Sequence, residues 1–148
     1  MITYHVEGRS KTVKLIDIID AVEFACDSLD LFSFRGMHLA VILSPDLPQH
    51  VTGYCNGIDD DEAEIELSSH LKPRELIATI FHELVHVKQI LEGYLVQGEC
   101  GDPTTWKGVP YINEPYDTRP WEIQAHELET HLLEKYYVPR TVSRSAAA

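Results

Sequence analysis

Basic residues are scarce in this chain. Lys and Arg number 12 against 24 Asp and Glu over 148 residues, giving a net charge of −12. The cations are scattered along the sequence, which argues against a nucleic-acid-binding surface. Electrostatic steering would favour a basic protein or peptide partner, although acidity also serves solubility alone. Cysteine is sparse too. Cys26, Cys55 and Cys100 are odd in number and lack C-x-x-C spacing, which excludes a disulfide framework and fits reduced thiols in a cytoplasm. Cys26 reads as core, with Cys55 or Cys100 as an inhibitory metal ligand a minor alternative. No apolar run reaches the length of a membrane span, so no membrane partner is expected. The start, Met1-Ile2-Thr3-Tyr4-His5-Val6-Glu7, lacks the basic and apolar stretches of a secretory signal. Internal repeats and low-complexity core segments are also missing. What remains is one domain over residues 1–140, with a flexible tail expected over 141–148.

Histidine and glutamate, by contrast, are plentiful, and they form His82-Glu83-Leu84-Val85-His86. This is the H-E-x-x-H pattern, set in a stretch that Pro73 can open and Gly93 can close as a helix. Residues four apart share a helix face, so His82 and His86 can aim two imidazole nitrogens at one point. Glu83 is rotated about 100° from His82 and can act on a water at a metal without ligating it. Leu76, Ile77, Ile80, Leu84, Val87 and Leu91 form an apolar stripe, with both histidines, Thr79 and Gln89 opposite. Phe81, Val85 and Ile90 flank both faces, so the helix is expected to be covered on more than one side. A polar pair buried opposite the core needs a partner, and a metal supplies one.

Two imidazoles do not complete a catalytic zinc site, which usually takes three protein ligands. Glu122, His126, Glu129 and His131 compete for the third place. All lie on a second expected helix that begins near Pro120, with Asp117 or Thr118 as its cap and Trp121, Ala125, Leu128 and Leu132 as its core stripe. Glu122, His126 and Glu129 share one flank of that stripe, whereas His131 points to the other. A first-turn glutamate such as Glu122 also complements the helix dipole without any metal.

His82-Glu83-x-x-His86 followed by Pro120-Trp121-Glu122-Ile123-Gln124-Ala125 resembles the gluzincins, whose third zinc ligand is a glutamate on a later helix, often in an E-x-x-A segment. The compact minigluzincins, and phage-type metallopeptidase-like proteins with P-W-E-x-x-A, are similar over residues 62–92 and 116–135. The resemblance implies Zn2+ bound by His82, His86 and Glu122 in a compact zincin-like fold. His126 departs from the pattern of several relatives and reads either as a fourth ligand or as a donor to substrate.

Around these helices the chain reads as α+β. Strands are expected at Ile2–Val6, His38–Leu43 and Ala63–Leu67, with one more near Val51–Cys55, and a backing helix at Val13–Leu31. Ala63, Ile65 and Leu67 alternate with Glu62, Glu64 and Glu66, the pattern of a half-exposed edge strand. If that strand borders the cleft, its glutamates favour basic substrates. The Asp59-Asp60-Asp61 run reads as a solvated turn. Residues 94–119 are too long for a simple connection and are expected to wall a cleft. The expected reaction is peptide-bond hydrolysis, with Glu83 as general base and Tyr116, then Tyr111 or His126, as oxyanion donor. The alternative is an inactive, zinc-stabilised protein-binding module whose site His126 closes. The oligomeric state is not legible.

Overall fold

Two parallel strand pairings and the crossovers between them decide the architecture. In the computed structural model the described residues are 2–147 apart from 57, 60 and 100, with side chains described to residue 138. Asp60 and Cys100, with the ligand alternative at Cys100, lie outside the described residues. The first strand, β1 (Thr3–Glu7), leads through a loop into helix α1 (Leu15–Ser28). The chain returns as β2 (His38–Ser44), passes through β3 (Gly53–Asn56) and β4 (Glu62–Ser68), and enters helix α2 (Pro73–Leu91). Three short strands follow: β5 (Leu95–Val96), β6 (Thr104–Trp106) and β7 (Val109–Tyr111). Helix α3 (Pro120–Ala147) ends the fold. Its backbone is helical through most of the stretch 141–148 assigned above to a flexible tail.

The main sheet has the order β1-β2-β4-β3 and the small sheet the order β5-β6-β7. β1 runs parallel to β2 and β2 to β4, while β3 is antiparallel to β4. Leu39, Val41 and Leu43 of β2 and Ala63, Ile65 and Leu67 of β4 turn to one face and join the core with α1 and α2. This is the α+β domain that the alternation predicts. One expectation is corrected: β4 is an inner strand, and the edges are β1 and, beside β4, β3. Glu62, Glu64 and Glu66 lie on the sheet face turned away from the helices, so an inner strand carries the pattern of a half-exposed one.

Helix α1 is shorter than Val13–Leu31. Leu29 caps it, Asp30 takes a left-handed backbone (φ 57°), and Leu31–Ser33 form a single 3-10 turn. Helix α2 is buried nearly all round, as its flanking Phe81 and Val85 require. Phe81 meets Phe24 of α1 and Tyr136 of α3 with ring centroids 5.8 and 5.5 Å apart, so three helices share one aromatic cluster. Gly93 (φ 79°) stops α2: its N–H donates to Ile90 O and that of Tyr94 to Gln89 O, the paired bonds of a Schellman end.

Candidate metal centre and cleft

About two turns of α2, from His82 to Gln89, and the first three of α3 bring the polar groups together. Helix α2 opens at Pro73 without a side-chain cap. Helix α3 opens at Pro120, and Arg119 O accepts from Glu122 N and Ile123 N. The expected caps are corrected: the Thr118 hydroxyl turns back to Glu114 and Pro115 O, and among the described residues no bond joins Asp117 or Thr118 to the α3 amides. The α3 stripe places Trp121, Ala125 and Leu132 in the interior and leaves Glu122 facing α2.

His82, His86 and Glu122 are all buried and converge. His82 Nε2 lies 3.0 Å from one Glu122 oxygen, His86 Nε2 lies 3.0 Å from the other, and the two Nε2 atoms are 3.2 Å apart. Ligand atoms of a tetrahedral zinc with bonds of about 2.0–2.1 Å stand roughly 3.3 Å apart. The donor set of two imidazoles and a carboxylate therefore fits a zinc-sized cation both in chemistry and in spacing.

The other ring nitrogens are held from behind. His82 Nδ1 donates to Glu129 Oε1 at 3.1 Å, and His86 Nδ1 donates to Gln89 Oε1 at 2.9 Å. Gln89 is fixed in turn, since its Nε2 donates to Trp121 O and Gln124 Oε1. With Nδ1 held as a donor in both rings, each Nε2 faces Glu122 and would offer a lone pair to a cation on giving up its own proton. Burial works to lower the His82 pKa, but bonds to Glu122 and Glu129 override it and lift it to about 9. Burial likewise works to raise Glu122, yet bonds from His82 and His86 hold it far below the ordinary carboxylate range.

Beside this centre lies a cleft of about 480 Å³. Edge strand β3 forms one wall, and Leu95, Gln97, Tyr116 and Trp121 belong to its lining. A Cβ on Gly53 would come 2.9 Å from both Glu66 O and Thr79 Cγ2, so β3 closes on α2 only because Gly53 lacks one. Glu83 faces the cleft, and burial pushes its pKa up, against the lowering influence of His86 and His82. Tyr116 OH and His126 Nε2 are 2.9 Å apart, so two of the expected donors form one pair at the cleft. Burial, followed by a bond to Glu122, raises the Tyr116 pKa and keeps its phenol protonated.

Not every expected residue joins the centre. His126 is exposed and belongs to a second grouping with His82 and Glu129, whose carboxylate meets His82 Nδ1. His131 is exposed, and Tyr111 packs against Trp121. Cys55 lines the cleft, but among the described residues it joins no group of metal-ligating atoms. Glu62, Glu64 and Glu66 do not line the cleft, which removes the basis for a basic-substrate preference drawn from them. Sequence reasoning missed the roles of Gln89 and Glu129 as holders of the imidazoles. Their signal was present: Gln89 lies three residues from His86, and Glu129 two turns from Glu122. No protein-family model matches the chain, and no curated protein sequence matches it either.

Proposed function

We propose that this protein is a zinc-dependent peptidase of the gluzincin type, with a zincin-like fold and a cytoplasmic setting. One observation carries the reading: two Nε2 atoms and a carboxylate converge at 3.0–3.2 Å, each imidazole held from behind, next to a buried glutamate in an open cleft. His82, His86 and Glu122 would hold the cation. Zinc, when bound, supplies Lewis-acid polarisation of a carbonyl and a lowered pKa for water.

The chain's own residues do the rest. Glu83 takes a proton from the attacking water and returns it to the leaving amine, a role that its raised pKa suits. Tyr116, kept protonated, donates towards a developing oxyanion, and His126 fixes its hydroxyl. Glu129 and Gln89 orient the imidazoles. Among the described residues strand β3 pairs only with β4, so its other edge offers main-chain donors and acceptors along the cleft. That arrangement suits an extended peptide substrate.

The test pairs metal content with turnover on a mixed peptide library. Wild type is expected to hold about one zinc per chain and to cleave peptides. Glu83→Gln is expected to keep the zinc and lose about 10²–10⁴-fold in turnover. A zinc-loaded wild type that cleaves no peptide would remove the peptidase reading and leave an inactive zinc-stabilised module.

A further inference from the structure

The cations that look scattered along the sequence are not scattered in function. Arg9, Lys11 and Lys14 fall within six residues, with no acid between Glu7 and Asp17. In a chain with twice as many acids as bases, none of the three has an ion-pair partner among the described residues. They stand around a cavity of about 600 Å³, remote in sequence from the metal centre, between the end of β1 and the start of α1. Its floor is apolar: Val13, Ile18 and Leu43 line it, together with Leu15, which is 54% exposed.

The loop that carries the cations is fixed in place. Gly8 turns at φ 81°, and a Cβ there would come 2.2 Å from Leu43 O. Ser10 Oγ accepts from Thr12 N and Val13 N. Lys11 N donates to Ser69 O at 3.0 Å, and the Thr12 hydroxyl donates to Leu71 O at 2.6 Å. The cavity is therefore shaped before any ligand arrives, which lowers the ordering cost of binding.

From this apolar floor and unpaired cationic rim we infer that the cavity binds a small amphiphilic anion, with a carboxylate or phosphate head at Arg9, Lys11 and Lys14 and an apolar tail on Leu15, Ile18 and Leu43. The volume lies in the range of small-molecule sites, about 300–1,000 Å³, and such sites combine apolar walls with a few polar groups. An anionic bilayer is a poorer occupant. It would face the field of a chain with net charge −12, whereas a ligand seated in the cavity responds mainly to charges within about 8 Å. The site is independent of the peptidase reading.

The experiment is an NMR titration of the full chain with sodium octanoate, with inorganic phosphate, n-octanol and phosphatidylglycerol vesicles as comparisons. Octanoate is expected to give saturable shifts at residues 8–18 and Leu43, weakened by added salt. The exposed triple variant Arg9→Gln/Lys11→Gln/Lys14→Gln is expected to weaken binding about tenfold or more, and Leu15→Gln by several-fold. Three results would overturn the inference: no localised shift up to about 10 mM octanoate, equal binding by the triple variant, or equal binding of inorganic phosphate. Capture by the vesicles without binding of free octanoate would also overturn it, in favour of a membrane surface.

Discussion

His82 with His86 in the cleft, and His5 with His38 on the open face of the sheet, both bring imidazole rings to a centroid separation of 4.8 Å. The rings of the first pair meet edge-on at 84°, whereas those of the second stack at 13°. The stacked pair spends its nitrogens on neighbours: His5 Nδ1 meets His38 Nε2 at 2.5 Å, Thr3 Oγ1 meets His38 Nδ1, and Glu7 meets His5 Nε2. The edge-on pair is bonded through both Nδ1 atoms to fixed acceptors, and both Nε2 atoms point at one carboxylate. Closeness of two histidines is thus no sign of a metal site. Convergent ring nitrogens facing one carboxylate, with the far nitrogens occupied, are the sign.

Breaking the convergence has the largest expected effect. Glu122→Ala should weaken zinc binding by more than about 100-fold, because it removes one of the three ligands proposed above. His126→Ala should cost less than about tenfold, since His126 lies outside the converging group. His5→Ala should leave zinc content unchanged. Competition with a chromogenic chelator ranks the three, and zinc lost from His126→Ala but kept by Glu122→Ala would show that the third ligand is misassigned. Next come the groups behind the rings. Glu129→Ala and Gln89→Leu should each lower zinc affinity about 10–100-fold while the metal still binds at high concentration; an unchanged affinity in both would make the bonds at Nδ1 incidental.

On the open face the effects are small. His5→Ala should shift unfolding by no more than about 0.5 kcal/mol in denaturant titration, because its partners are reachable by water; a loss of several kcal/mol would mean that the stacked pair is structural. Glu64 gives a pH test of the same face. Burial, then Glu66, Glu62 and Glu7, raise its pKa. A carboxyl raised on folding costs nothing while both states are protonated, and destabilises the fold as pH climbs through the raised value. Glu64→Gln should therefore gain a few tenths of a kcal/mol near neutral pH and nothing near about pH 3, with the gain shrinking in salt. A gain that is flat across pH would point to packing instead of charge.

The cleft half of the molecule was far more legible than the open half. Helical spacing around His82 and His86 gives both their common face and the burial of that face, since 3.6-residue periodicity places every side chain of a long helix at once. The strand at Ala63–Leu67 was found for the same reason, but not its place in the sheet. Alternation reports which residues meet water, and a sheet with helices on one face shows water to inner and edge strands alike. The strands β5, β6 and β7 are two to three residues long, too short for any period to register. In the sequence Arg9, Lys11 and Lys14 pass as part of a scatter of cations, because spacing along the chain does not reveal which cations lack acidic neighbours in space.

His82 and Glu122 are separated by 40 residues, and a shared cation would join them by coordination. The chain between them then becomes a ring, with β5, β6 and β7 along its circumference. Closing a loop of that length costs the unfolded chain about 4 kcal/mol by the arithmetic used for a disulfide. A disulfide needs an oxidant to form and a reductant to break. This ring would open and close with the free-metal concentration and without any redox step, so a chelator would act on it as a reductant acts on a cystine, and segment 94–119 would become the first place that a protease enters.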